Sequence, residues 1–522
     1  NPVTSTLSAT LACVLVGAWL STLFLWRSAA ASSDRARDHL AASERNLKLA
    51  VQAVDQFCSK VSDDERLKVH DLRPLRTDLL KTAVEFHQRL LSLRGKTTGA
   101  RLDLARAFRR LAELTAQIDD HDRAIELHQR AIREFDALLR DRPGDVDLQN
   151  ELTLSFTDLG HLFVNSGRAK EAEEVLDRGI AIQSSMLNEQ EVSPVARERL
   201  ASLVCSRGWA MTMTRRFDEA ETMWREAISH YERLVADHPD EVKFVTLLAE
   251  SHKFLGNNLL QESLGNWPDA EVEYETALAI QKGAVILAGA GMNEHQVLSA
   301  IHRGLGRIAK VSGRNEEALA HLRLAIETQD EIIRQHPSAL EAYAEAAYSQ
   351  TELAACHALA NRLEDEKQAL RKAEEHWSRI VRQAPGNTTW EAQFAKVVFR
   401  LGRIAVKQGD DETALESYGR GIDLGEAILL REPDSQGVRD IHPFLLIGRG
   451  RILARLGKHP EALADAQRAV ELAKDDQRES CRLELAMIRA LGGDYQSAIT
   501  DARESLVELE AHCDPKVLGT SY

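Results

Sequence analysis

A chain of 522 residues is too long for one compact core and suits an elongated array. Its 81 acidic and 66 basic residues leave a formal charge of −15, which excludes a general nucleic-acid binder, because phosphate neutralisation needs surplus positive charge. A hydrophobic fraction of 44% with only 5% aromatic residues favours helices meeting at small residues over strands.

The first element in chain order is Leu7 to Trp26, a run without a charged residue. As a helix at ~1.5 Å per residue it matches the ~30 Å hydrocarbon core of a bilayer. Trp26 stands where an interfacial anchor belongs, and Arg27 ends the run. Residues 1–28 are therefore read as a single transmembrane segment, and the chain as a single-pass membrane protein. Arg27, Arg35 and Arg37 favour a cytoplasmic C-terminal side. The first residue is Asn1 rather than Met, which reads as a fragment with a segment missing upstream.

Residues 29–99 form a helical connector. Leu40, Leu47, Val51, Val54 and Val61 recur at helical steps, and the pattern resumes through Leu75, Leu79, Phe86 and Leu90 before the loop Gly95 to Gly99.

The array proper is expected over residues 100–515, with 516–522 as a tail. A small residue opens the second helix (helix B) of each hairpin at Ala124, Ala172, Ala220, Ala270, Ala318, Ala414, Ala462 and Ala498, and Glu366 takes that place in the sixth unit. The steps between these nine positions are 48, 48, 50, 48, 48, 48, 48 and 36. Another small residue lies earlier, on helix A, at Gly160, Gly208, Gly256, Gly306, Gly402 and Gly450 among others. Antiparallel helices approach closely only at such residues, and Trp224, Tyr274 and Tyr418 fill the space beside the contact. Gly167, Gly313, Gly409 and Gly457 supply the turn between the two helices, and Pro143, Pro239, Pro337, Pro385 and Pro433 stop helix B. One hairpin cannot bury its apolar face alone, so stacking is required.

This pattern resembles the tetratricopeptide repeat, at 48 residues in place of that family's usual 34. The resemblance implies an all-α, right-handed superhelical array of about nine hairpins. The extra length is expected in both helices and in the loop after the proline. Over the whole chain, the apolar span, the block Glu44 to Leu67, the block Leu72 to Leu91 and linkers such as Leu234 to Phe244 look like the C-terminal half of planctomycete-type membrane-anchored serine/threonine protein kinases. That resemblance implies repeats across the membrane from a kinase domain, hence extracytoplasmic, against the arginine flank.

No chemistry emerges from the chain itself. Asp158-Leu159-Gly160 and Asp423-Leu424-Gly425 mimic a D-F-G motif but fall within the helical pattern, as do Gly304-x-Gly306 and Gly448-x-Gly450, which lack the strand a phosphate loop needs. The 18 histidines, His121, His128 and His161 among them, form no H-E-x-x-H, and the six cysteines form no C-x-x-C. No catalytic residue, metal site or cofactor is expected. The candidate surface is the concave face that helix A lines in the tetratricopeptide fold. It presents Arg303, Arg307 and Lys310 in the fifth unit and Tyr348 with Thr351 in the sixth. The seventh unit adds Lys396, Arg403 and Lys407, and the eighth Arg451 and Arg455. Such a groove suits an acidic or C-terminal peptide. The competing reading makes these residues solvated and paired with neighbouring acids. The function expected is a membrane-anchored scaffold for protein or peptide partners, the docking half of a receptor-like kinase without its catalytic domain. The alternative is a stand-alone anchored repeat protein for assembly or secretion.

Overall fold

The computed structural model describes residue 82 and residues 98–116, 121–187, 193–262, 267–288, 291–433 and 435–512. Over these residues the regular structure is helical. The chain falls into two compact units that divide after Leu162.

In the first unit, α1 (Thr98–Ala116) and α2 (His121–Asp141) form a hairpin, and α3 (Val146–Asn165) begins. Leu111, Ala112 and Leu127 form one buried cluster, and Phe135, Leu138, Phe156 and Leu159 are buried as well. Arg106 meets Glu151 at 2.8 Å, tying α1 to α3.

The second unit continues with α4 (Ala169–Leu187), α5 (Pro194–Met213), α6 (Phe217–Asp237), α7 (Val242–Glu262), α8 (Trp267–Ala288), α9 (Met292–Val311) and α10 (Asn315–Gln335). Then come α11 (Leu340–Leu359), α12 (Leu363–Gln383), α13 (Thr388–Gln408) and α14 (Asp411–Arg431). The series ends with α15 (Gln436–Arg439), α16 (His442–Arg455), α17 (His459–Leu472), α18 (Asp475–Leu491) and α19 (Tyr495–His512). Helices pair as successive hairpins, α5 with α6, α7 with α8, α9 with α10, α11 with α12, α13 with α14, α16 with α17 and α18 with α19. Each hairpin packs on the next, and helix A also touches the following helix A, as α7 does α9 and α9 does α11.

The periodic residues explain these boundaries. Helix B ends two residues before each proline, at Asp141, Asp237, Gln335, Gln383 and Arg431. Each hairpin turn among the described residues uses one left-handed residue. Glycine supplies it at Gly167, Gly313, Gly409, Gly457 and Gly493, whereas Arg215 (φ 61°) and Asn361 (φ 55°) hold the same conformation with side chains. At each turn two backbone amides return to the closing helix, as Gly313 N–H donates to Lys310 O and Arg314 N–H to Ala309 O. The extra length of the unit goes into the helices, most of which run 20 or 21 residues. The connection after Pro143 stays short, since α2 ends at Asp141 and α3 begins at Val146. One irregularity was not expected: helix A of the eighth unit is broken into α15 and α16, with Pro443 in the first turn of α16.

Aromatic residues four positions after the small residue of helix B set the contact between units. A Cβ on Gly256 would stand 2.7 Å from the Tyr274 ring, and one on Gly304, in the next helix A, 2.7 Å from the Tyr274 hydroxyl oxygen and nearer still to the ring. Tyr418 is held in the same way between Gly402 and Gly448, each at 2.7 Å. The second glycine of each G-x-G faces its own hairpin, Gly306 against Leu322 and Gly450 against the Ala462 carbonyl. The spacing is thus a packing device and not a phosphate loop.

The expectation of a single-pass membrane protein is corrected. No helix among the described residues is long and apolar enough to cross a membrane. The run Leu7 to Trp26 on which it rested, the connector up to residue 97 and the tail 516–522 lie outside the described residues.

Candidate functional site

The basic residues singled out on helix A fall on α9 (Arg303, Arg307, Lys310), α13 (Lys396, Arg403, Lys407) and α16 (Arg451, Arg455), with Tyr348 on α11. Packing of helix A on the next helix A brings acids opposite four of the eight. Arg303 meets Glu345 at 2.9 Å and lies 5.5 Å from the Tyr348 ring centre. Lys310 meets Glu352 at 2.5 Å, and Arg307 reaches the same carboxylate at 3.8 Å. Arg451 Nε donates to Glu484 at 2.6 Å, and Arg455 pairs with Asp411. The charge of these five residues is therefore met within the chain. Tyr348 packs edge-on against Trp377, ring centres 5.1 Å apart, and burial raises its hydroxyl above the usual range.

The seventh unit differs. Lys396, Arg403 and Lys407 have no ion-pair partner among the described residues, and Arg403 and Lys407 are exposed. The Arg403 guanidinium lies 5.9 Å from the Phe399 ring centre. Arg403 and Lys407 border a recess of 470 Å³ between α9, α11, α12 and α13, together with Lys310, Arg400, Glu366 and the apolar Ala355, Leu359 and Ile404. Arg400 bonds Glu366 at 3.2 Å and donates to the Thr351 carbonyl at 3.0 Å. Two of the four cations at this recess are thus neutralised, Lys310 by Glu352 and Arg400 by Glu366. Arg403 and Lys407 remain as a local positive surplus on an acidic protein.

A second recess, of 340 Å³, lies on the other side of Arg403 between α13, α14, α16 and α18. Phe399, Tyr418, Phe444 and Ile447 give it an apolar wall, and Arg451 with Glu484 forms a closed ion pair at its edge. Cys481 also lines it, its thiol pushed up to about 11 by burial and then by Glu484, so no thiolate nucleophile is present there. Among the described residues no group of three or more His, Cys, Asp or Glu is placed to hold a metal ion.

Of the predicted residues, Lys310, Arg403 and Lys407 share the first recess, and Arg403 and Arg451 the second. Arg455 and Lys396 line neither. The reading missed Arg400, Glu366 and the partners Glu345 and Glu352. A signal for the last two was present: each stands 42 residues after its cation, short of one repeat. Also missed was a ladder at the start of helix B, where an arginine follows the turn in four units, at Arg168, Arg216, Arg314 and Arg362. Arg216 meets Glu173 at 2.6 Å, Arg314 meets Glu271 at 2.6 Å and Arg362 meets Glu316 at 3.0 Å, each in the preceding unit.

The third hairpin carries most of the periodic residues, with Gly208 against Trp224, Ala220 and Ala227 at the close contact, and Pro239 after the helix. Residues 206–240 match the tetratricopeptide repeat family. The described part of the chain is an all-helical array of tetratricopeptide-like units without a catalytic domain. No curated protein matches the sequence. Among solved structures, BtubC from P. vanneervenii is 19% identical, with 49% of this chain and 90% of that chain covered and a TM-score of 0.39. The apo form of RapI is 12% identical, covering 63% and 99%, with a TM-score of 0.42. YrrB, described as a tetratricopeptide protein with an unusual peptide-binding site, is 16% identical, covering 41% and 87%, with a TM-score of 0.26. At these scores the likeness carries nothing about this chain's ligand.

Proposed function

We propose that the array over residues 100–515 is a docking scaffold for a protein or peptide partner, and that the partner's contact segment is acidic. The observation that carries this reading is the pair Arg403 and Lys407, two exposed cations without a carboxylate partner at the mouth of the recess between α11 and α13. A partner carboxylate there forms charge-assisted hydrogen bonds without breaking an existing ion pair. Arg303, Arg307 and Arg451 extend the surface as paired residues and set its edges. Helix A touching helix A between units supports a shared face for helix A residues of neighbouring units. A link to a serine/threonine kinase rests only on the sequence resemblance of the apolar span, the blocks Glu44 to Leu67 and Leu72 to Leu91, and the linkers such as Leu234 to Phe244, and the docking reading stands without it.

The test is fluorescence anisotropy with a labelled ten-residue Asp/Glu peptide and its Asn/Gln counterpart. The acidic peptide is expected to bind the tighter by tenfold or more at low salt and to lose that advantage in Arg403→Glu/Lys407→Glu. Equal affinity for the two peptides overturns the reading.

A further inference from the structure

Resting on that reading, we infer that the docking surface has two compartments that share Arg403, and that the ligand is an extended segment carrying a large apolar side chain within two or three residues of its acidic group. The first compartment is the basic recess. The second is the 340 Å³ recess walled by Phe399, Tyr418, Phe444 and Ile447.

Three observations support this pairing. Arg403 borders both cavities, and its guanidinium lies against Phe399, a wall of the second. A carboxylate held by Arg403 therefore leaves the residues beside it at the second opening. An extended chain advances ~3.3 Å per residue and points alternate side chains the same way, so a residue two places along lies about 7 Å off and faces the same surface. Second, small residues stand among the bulky walls of this recess. Gly448 lies on the recess and lets Tyr418 approach, and Ser480 at the rim is small and exposed. Third, the charges of the second recess apart from Arg403 cancel, since Arg451 donates from Nε and one terminal guanidinium nitrogen to the two carboxylate oxygens of Glu484. What remains is aromatic edge and aliphatic surface, which suits an apolar side chain and offers no second site for an acid.

Labelled peptides with an acidic pair followed two residues later by Phe or by Ala test this, together with a third in which the acids become Asn/Gln beside Phe. The wild-type chain is expected to bind the acidic Phe peptide about tenfold more tightly than the acidic Ala peptide. Ser480→Trp, which fills the recess from its rim, is expected to remove that difference while leaving the acidic Ala peptide bound. Phe444→Asn removes part of the wall and gives the same loss should the tryptophan disturb folding. Arg403→Glu is expected to weaken both acidic peptides. Equal binding of the acidic Phe and Ala peptides overturns the two-compartment inference and leaves acidic docking standing. Failure of both acidic peptides to bind the wild-type chain overturns the two together.

Discussion

The Tyr274 ring fills the space that Gly304 leaves by having no side chain. Tyr274 is buried to 1% exposure on α8, and its hydroxyl donates to Asn257 Oδ1 at 2.6 Å. Burial pushes that hydroxyl up to about 12. Gly304→Ala must displace a ring locked from both sides, so we expect a loss of about 2–3 kcal/mol from overpacking. Gly283→Ala is the control. Gly283 also sits inside a helix, yet a Cβ there meets nothing within 4 Å, and the change is expected to stabilise by roughly 0.5–1 kcal/mol. Urea unfolding of the two variants reads the difference, and equal effects would remove the packing account.

The left-handed turn gives a second prediction. Arg215 holds φ 61° where five other units use glycine, at Gly167, Gly313, Gly409, Gly457 and Gly493. An L side chain in that region costs roughly 1–2 kcal/mol, partly offset by the greater freedom of glycine in the unfolded chain. Arg215→Gly is expected to stabilise by about 0.5–1 kcal/mol. Asn361→Gly should gain less, because asparagine tolerates this conformation better. Thermal melts of the two variants check the order.

Glu366 stands where other units place alanine, buried at 7% exposure and bonded to Arg400. Glu366→Gln leaves the guanidinium without its counter-charge at the recess wall. Stability is expected to fall by about 1–3 kcal/mol, while affinity for the acidic peptide rises several-fold. Loss of stability with no gain in affinity would separate Arg400 from the ligand.

Acid lability follows from three buried imidazoles. His128 is lowered to about 3 by burial and then by Arg109. His302 is lowered to about 4 by burial and then by His321 and Lys282, and His442 to about 4 by burial and then by Arg468 and Arg449. Folded values below the ordinary 6.5 mean that the unfolded chain binds more protons. Stability is therefore intact above pH 6.5 and declines as pH falls toward 4, by on the order of 2 kcal/mol per histidine. His128→Gln should lower the acid midpoint, and an unchanged midpoint would exclude His128 from the transition.

The periodic residues made the repeat legible. Ala220, Ala318 and Ala414 mark close contacts, and each proline marks a helix end, because both are local demands of backbone geometry. Charge pairing was less legible. Arg303 and Arg403 occupy the same face of helix A in different units, yet Glu345 neutralises one and no carboxylate among the described residues neutralises the other. That difference depends on which side chain the neighbouring helix brings across, and its register becomes known only once the units are stacked. The break at Pro443 was written in the chain but was outweighed by the regular period. The membrane assignment drew on residues that the described fold does not include.

The tyrosine–glycine contact also means that the units are not exchangeable parts. Cutting out residues 292–339 would preserve the period and join two intact hairpins. It would also bring Glu352 to the place of Gly304 and drive a carboxylate against the Tyr274 ring. Cutting out three units, residues 292–435, brings Gly448 to that place instead. Shortening the array is therefore expected to succeed by threes across this region and to fail by ones.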